Sequence, residues 1–450
     1  MAPGATAGTP WEAAILAPSP HRRHLLMANA TRVVFATFGS LGDLHPYIAV
    51  SRELARRGQR PLIATFEEYR DAVTAAGIEF APMRPSMSVF GDKTAMMERL
   101  IDPWRGPELM VREMFMPRLR DSYRDLAHAC RGADLLVTHP LTFAGPLLAQ
   151  KAGLRWVSTA LAPMTLFSEI DPPLFPAAPV LAWARKLGVA PYRWIFRIPR
   201  AMVRRWEQPL REFRAELGLP PTDAIAQFEG QFSPRLNLAL FSPVLAAPQP
   251  DWPANTRVCG FPLYDGAPIE SKAHAELEAF LAAGAPPIVF GLGSSAVMIA
   301  GDFWHAAIDT TRRIGRRAVL LTGKPPEELG PLPRDVKAFQ YLPYSAVFPR
   351  AAAIVHQGGI GTLAQALAAG RPQLIVPVAF DQPDNARRTA ALGVARSLPF
   401  RKATAAAMAH ELSALLAAPG CASRASIVGA AVAKEDGARL AAEALENAAA

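Results

Sequence analysis

From Arg32 onward, short apolar runs alternate with amphipathic stretches. The β-branched run Arg32-Val-Val-Phe-Ala-Thr-Phe38 ends at Gly39, the profile of a strand buried on both faces. A helix is predicted next from Pro46 to Arg57, with Tyr47, Val50 and Leu54 on one face, Pro46 at its first position and Gly58 as its stop. Strand, glycine-bearing loop, helix is the unit of a doubly wound sheet. Pro61 to Thr65, Leu135 to Thr138 and Arg155 to Thr159 read as further strands, and the Pro- and Trp-rich stretch from Asp171 to Glu207 as irregular or mobile helices. A new start near Ala239 leads into Ser242 to Pro262, with Pro243, Pro248, Pro250 and Pro253, the composition of a linker. Strands resume at Pro287–Phe290, Ala318–Thr322, Ala351–Val355 and Gln373–Val378.

The pattern predicts an α/β chain of two similar halves facing across a cleft. The expected divisions are a flexible leader over 1–30, a first domain over 31–240, a linker over 241–262, a second domain over 263–424, and a helical tail over 425–450 that can pack back across the junction. The leader is rich in Ala, Pro and Gly, carries His21, Arg22, Arg23 and His24, and lacks the apolar segment of a secretory signal; Met27 offers a second start.

Composition narrows the classes. The chain has 450 residues, 50% hydrophobic and 19% charged, as in ordinary globular proteins. No apolar run reaches the roughly 18–20 residues of a membrane span; the best candidate, Leu135 to Ala149, is broken by His139, Pro140, Gly145 and Pro146. The net charge of +9 is mostly arginine and scattered, without a basic stripe interleaved with aromatics, so a nucleic-acid partner is not expected. It leaves a mild attraction for anionic ligands or lipid head groups. Cys130, Cys259 and Cys421 are odd in number and far apart, which excludes a disulfide framework or a CxxC metal site and suits the cytoplasm.

Several signatures are missing. Gly323-Lys324 is followed by Pro325 rather than by the Ser or Thr of a P-loop, Gly291-Leu-Gly-Ser-Ser295 is not a nucleophile elbow, and the first turn, Gly39-Ser-Leu-Gly42-Asp43, is not a dinucleotide fingerprint. No D-x-D pair follows a strand to hold a divalent metal with a diphosphate, so metal dependence is not expected. The informative stretch is AAAIVHQGGIGTLAQALAAGRPQLIVPVAFDQPDNARR, from Ala351 to Arg388. A strand delivers His356 at its carboxyl end; Gly358, Gly359 and Gly361 admit a ligand to the backbone; Thr362 opens a helix closed by Gly370. Free N–H groups and a partial positive charge at such a terminus suit a diphosphate, and Asp381-Gln382, after the next strand, suit sugar hydroxyls. Alternatively the glycines serve a tight turn, Thr362 an N-cap and Asp381 an Asx-turn.

H-x-G-G-x-G-T followed by D-Q-x-x-N-A resembles the donor box of GT-B glycosyltransferases that use nucleotide diphosphosugars, the superfamily of plant secondary-product, macrolide, glycopeptide and sterol glycosyltransferases, and most nearly the bacterial rhamnolipid rhamnosyltransferase type. Gly39-Ser-Leu-Gly42-Asp43-Leu-His-Pro46 resembles the family's G-S-x-G-D-x-x-P opening, and Gly291-Leu-Gly293-Ser294-Ser295 its second-domain glycine loop. The resemblance implies two Rossmann-like domains and a UDP- or dTDP-sugar donor, with no cofactor besides that co-substrate. It implies that Gly42, Ser294, Ser295, His356, Gly358, Gly359, Gly361 and Thr362 surround the donor phosphates, Tyr341, Pro343 and Tyr344 the base, and Asp381 and Gln382 the sugar. The plant Trp-Asn-Ser is here Gly359-Ile360-Gly361, and the plant ribose-binding glutamate is Ala364, which leaves uridine and thymidine equally open.

An inverting transfer needs a base for the acceptor hydroxyl, worth about 10²–10⁴ in rate. Asp43, where plant relatives carry histidine, is the expected base; as an N-cap it would serve structure alone. His139 falls where those relatives place the aspartate partner, which makes an exchanged Asp43/His139 pair conceivable; alternatively, as a lone histidine at a strand end, it is a satisfied core or loop residue. His45 and the insert between Pro163 and Trp206, including Phe167, Phe175, Trp183, Trp194 and Phe196, are expected to bind the acceptor, a hydrophobic small molecule, or to form a membrane-touching lip. Membrane contact would be peripheral at most. A nucleotide-sugar epimerase of the same fold and a non-catalytic sugar-nucleotide-binding partner remain as other readings.

Overall fold

The structure, a computed structural model, describes residues 30–175 and 179–450. The expected leader lies outside the described residues. Two parallel sheets make up the frame. The first comprises β1 (Arg32–Ala36), β2 (Arg60–Thr65), β3 (Glu79–Pro82), β4 (Leu135–Thr138), β5 (Trp156–Ala160), β6 (Asn237–Ala239) and β7 (Thr256–Val258), in the order β3-β2-β1-β4-β5-β6-β7. The second comprises β8 (Ile288–Gly291), β9 (Ala318–Leu321), β10 (Val336–Phe339), β11 (Ala353–His356), β12 (Gln373–Ile375) and β13 (Ala395–Ser397), in the order β10-β9-β8-β11-β12-β13. The winding direction reverses between β1 and β4, where Ala36 pairs with Thr138, and between β8 and β11, where Gly291 pairs with His356. Open parallel sheets bind ligands at such switch points, beyond the strand carboxyl ends. Asp43 and His139 follow the first pair of strands; Ser294 and the glycine box follow the second.

The central strands form because their apolar runs are covered by helices on both faces. Val34 and Leu136 point into one core with Phe115 and Leu147, while Val33 and Phe35 point into the other with Tyr47 and Leu54. The helix Gly437–Ala449 seals that second core with Ala441, Leu445 and Ala448, and Arg57 donates to Glu446 at 2.7 Å. A further cluster joins the halves: Phe241 and Leu245 pack with Leu363, Leu367 and Val432.

Two expectations about organisation are corrected. The stretch assigned to a linker, 241–262, contains β7, whose Thr256 pairs with Asn237 of β6, and β6 itself lies inside the first sheet, next to the edge strand β7, rather than beginning the second half. The proline-rich segment is the crossover between those two parallel neighbours. The tail is two helices, Cys421–Val432 and Gly437–Ala449; Gly437 sits at the start of the second, where Asp436 caps it by accepting from Arg439 N–H. Among the described residues, no single helix is long and apolar enough to cross a membrane.

Candidate active site

Ser40, not a residue near Pro46, starts the first helix, Leu41–Arg56. Ser40 and Asp43 form a capping box, in which Asp43 Oδ2 accepts from the Ser40 N–H at 2.7 Å and the Ser40 hydroxyl at 3.0 Å. This pins the carboxylate at the carboxyl end of β1 and leaves its other oxygen free. Asp43 is therefore a third-position acid rather than the N-cap. Oδ1 lies 3.4 Å from His139 Nε2, so the structure brings together the two residues that the sequence made a conceivable exchanged pair. His139 Nδ1 accepts the Leu141 N–H at 3.2 Å. In the neutral ring the proton then sits on Nε2, the nitrogen nearer Asp43. His139 is buried, while Asp43 keeps a side-chain exposure of 30%. The group open to a second molecule is the carboxylate.

Across the cleft, the helix Ile360–Ala368 begins at Gly359 without a side-chain cap. Its first N–H groups are thus available to an anion. The loops of the two halves touch: a Cβ added at Gly361 would stand 3.2 Å from Gly42 Cα. Gly293, at φ +66°, is equally constrained, since its Cβ would meet Gln357 Nε2 at 2.2 Å. A cavity of about 380 Å³ opens here, and Gly42, His45, Ser294, Tyr341, Tyr344, Gly361 and Thr362 all line it. Of the expected donor residues, Ser295, Pro343, His356, Gly358, Gly359, Asp381 and Gln382 are not on its wall.

His356 requires a correction. It is fully buried, with Nε2 on Gln373 Oε1 at 2.9 Å and Nδ1 accepting the Gly358 N–H at 3.1 Å. Both nitrogens are engaged within the protein, so it shapes the glycine turn and offers nothing to a phosphate. Burial pushes its pKa down to about 4, only partly offset by Gln373. The neighbouring Gln357, passed over in the sequence, donates to Thr362 Oγ1 at 3.3 Å, while its Oε1 is buried with no partner among the described residues.

The first turn of the helix that carries His45 points toward the second half, so the ring lies edge-on to Tyr264, 5.2 Å between centroids, on the wall of the same cavity. Burial lowers the His45 pKa to about 4 against the charge of Asp265, and the ring is neutral at pH 7. Tyr341 stands at the same end, 47% exposed, its hydroxyl donating to the Asp265 carbonyl. Tyr344 instead stacks on Phe348 at 4.3 Å. Tyr264, Asp265 and Gln365 complete this end of the cavity. Sequence reasoning missed all three; Gln365, one residue past the Ala364 noted above, was the available signal. Phe167 belongs to an aromatic cluster, with its ring 4.7 Å from Phe228, and does not line that cavity. The Trp183 side chain lies outside the described residues.

Asp381 and Gln382 are held by local bonds. Gln382 Oε1 accepts the Val378 and Ala379 N–H groups at 2.8 and 3.2 Å, and Asp381 Oδ2 accepts from Asn385 Nδ2 at 2.7 Å, which also reaches the Gly358 carbonyl at 2.9 Å. The sugar box and glycine turn thus form one unit. Burial, with the charge of Asp43 second, pushes Asp381 up to about 7, against the Asn385 bond. An unfolded carboxyl ionises near 3.9, so the raised folded value contributes stability below about pH 4 that is lost as pH rises through about 7. Asp381→Asn is therefore expected to raise the melting temperature of the ligand-free protein at pH 8 by more than at pH 5. An equal change at both pH values in thermal melts would remove the proposed protonation. Among the described residues, no three His, Cys, Asp or Glu side chains converge as metal ligands do.

Comparison with known proteins matches residues 314–445 to the family described as "Erythromycin biosynthesis protein CIII-like, C-terminal domain". The chain is 32% identical over 416 residues to an O-mycaminosyltylonolide 6-deoxyallosyltransferase of Streptomyces fradiae, covering 90% of this chain and 94% of that one. It is 30% identical to glycosyltransferase GtfC of Amycolatopsis orientalis, covering 93% and 97%. Among solved structures, the glycosyltransferase VinC in complex with dTDP aligns at a TM-score of 0.66 and 20% identity, over 93% of this chain and 99% of that one.

Proposed function

The chain belongs to the UDP-glycosyltransferase superfamily of GT-B fold, an enzyme family moving sugars from nucleotide sugars to small molecules, and on that premise we propose an inverting transfer from a dTDP- or UDP-sugar to a hydroxyl of a hydrophobic acceptor. The observation that carries it is the placement of Asp43 against the Gly42–Gly361 contact, one loop away from the uncapped Ile360–Ala368 helix. The two needs of the reaction face each other there. The Asp43 carboxylate takes the acceptor proton as the hydroxyl attacks the anomeric carbon. The helix N-terminus, with Thr362 Oγ1, receives the charge that develops on the leaving diphosphate.

His139 acts through Asp43. Its ring stands beside the carboxylate, Nε2 3.4 Å from Oδ1, and steadies its charge. Tyr341 and His45, neutral and aromatic, offer flat surfaces for a nucleobase, and Gln365 lies close enough to meet a ribose or base edge. Asp381 and Gln382 hold the sugar end, once the donor draws that loop in. No cofactor is needed in this reading beyond the co-substrate itself.

Thermal unfolding with dTDP, UDP, GDP and NAD tests the donor half. A ligand at 100 times its Kd adds about 2.7 kcal/mol, a rise of several degrees for a domain of this size. dTDP or UDP is expected to give that rise and NAD none. Thr362→Val removes a hydrogen bond to a charged group, worth about 1.5–3 kcal/mol, and should cut the rise to half or less. If no diphosphate moves the midpoint, the glycine box is structural and the donor assignment fails.

A further inference from the structure

The helix Val189–Trp206 has two unlike faces. Inward, Tyr192, Phe196 and Val203 are buried against Leu181, Ile225 and Phe228 in a small aromatic core of their own. Outward, Trp194, Ile198 and Met202 recur every fourth residue and are 69%, 60% and 46% exposed. A stripe of large apolar side chains pointing at solvent is unusual for a helix already anchored by its other face.

Charge surrounds the stripe. The helix carries Arg193, Arg197, Arg200, Arg204 and Arg205 and no acid, and Arg185 and Lys186 precede it, seven cations in one segment. Three of the arginines meet acids from neighbouring loops: Arg193 on Glu169, Arg200 on Glu229, and Arg204 on Asp223 at 2.8 Å. Among the described side chains, six cations against three acids leave an excess of three. Arg197 and Arg205 form no ion pair among the described residues. Bulky apolar side chains one helix wide, flanked by unpaired arginines, are what a helix lying in a lipid interface requires, because the apolar atoms enter the acyl boundary while the guanidinium groups stay at the head groups.

We propose that the outer face of the Val189–Trp206 helix docks on anionic lipid surfaces. Bulky side chains projecting from one helix suit a fluid apolar phase, and the charge excess selects anionic head groups. On its inner side the aromatic core includes Phe175, one residue beyond Leu174, whose N–H bonds Asp384 Oδ1 at 3.0 Å in the helix that carries the sugar box. Docking would therefore hold this side of the enzyme at the boundary where hydrophobic acceptors partition. The inference is independent of the donor-site reading, since its readout needs no nucleotide.

The test is flotation of the full chain with vesicles of phosphatidylcholine, with and without phosphatidylglycerol. Binding is expected to the anionic vesicles and to weaken with salt. Ile198→Ser and Trp194→Ser should each lower partition about tenfold, the scale of one large side chain leaving an apolar phase. Arg197→Gln and Arg205→Gln should each lower it about fivefold. All four side chains are exposed, so unchanged melting temperatures will accompany these losses. Equal binding to both vesicle types, or none to either, overturns the proposal. A wild-type dimer in sedimentation that Ile198→Ser makes monomeric also overturns it and assigns the face to self-association.

Discussion

Asp43→Asn is expected to lower kcat by about 10²–10⁴ at saturating donor and acceptor, the usual contribution of a general base. Asparagine keeps the shape, and its carbonyl still accepts the Ser40 N–H that the carboxylate accepts at 2.7 Å, so the helix start survives. What it loses is basicity. The rise in melting temperature with dTDP or UDP should therefore persist, separating a defect in proton transfer from one in binding. His139→Asn should have a smaller effect, because it removes only a ring nitrogen 3.4 Å from a carboxylate that Ser40 still holds. Steady-state kinetics with both variants decide the assignment. Turnover within a few fold of wild type for Asp43→Asn would leave the aspartate as a capping-box residue and send the search for the base elsewhere.

The second large effect concerns stability. Asp384 is fully buried in the helix Gln382–Ala391, where it accepts from Arg388 Nε at 2.7 Å, from Arg387 at 2.9 Å, and from the Leu174 N–H at 3.0 Å. Arg388 also reaches Asp171, so the network ties the loop after β5 in the first half to the donor box in the second. Burial pulls the Arg388 guanidinium down, and Asp384 and Asp171 more than reverse it. Deleting one member of such a buried set strands the other, which costs about 3–5 kcal/mol. Asp384→Ala is therefore expected to lower the melting temperature by about 6–20 °C, at roughly 2–4 °C per kcal/mol for a domain of 150–250 residues. Asp171→Ala should cost far less, since Asp171 is 33% exposed and water screens its pairs. Calorimetry reads both; a loss below about 1 kcal/mol for Asp384→Ala would mean the network does not join the halves.

Central strands were legible because burial on both faces leaves a continuous apolar run, as in β1, β4 and β11. Among the strands the sequence missed, β3, β7 and β13 are short and partly exposed. Edge strands draw their order from a neighbour's backbone hydrogen bonds rather than from their own hydrophobic pattern. The capping box was written in the chain as Ser40 and Asp43 but was masked by Pro46, which lies inside the helix it was expected to start. Pro46 is the sixth residue of that helix, past the N–H groups that lack intrahelical partners, so the helix continues through it with one backbone hydrogen bond fewer.

The sequence by itself determined the α/β architecture, the glycine-rich loops after the strands at each switch point, and the residue types of a sugar-nucleotide site. These follow from local periodicity and from backbone demands that few residues meet. Tertiary structure decided which side chains face the ligand space. A side chain's direction depends on strand alternation and on partners distant in the chain, so His356 turned inward to Gln373, His45 turned to the cavity wall, and Gln357 and Gln365 took places the motif did not announce. Structure also joined Asp43 to His139, since adjacency of β1 and β4 is a property of the sheet and not of the chain.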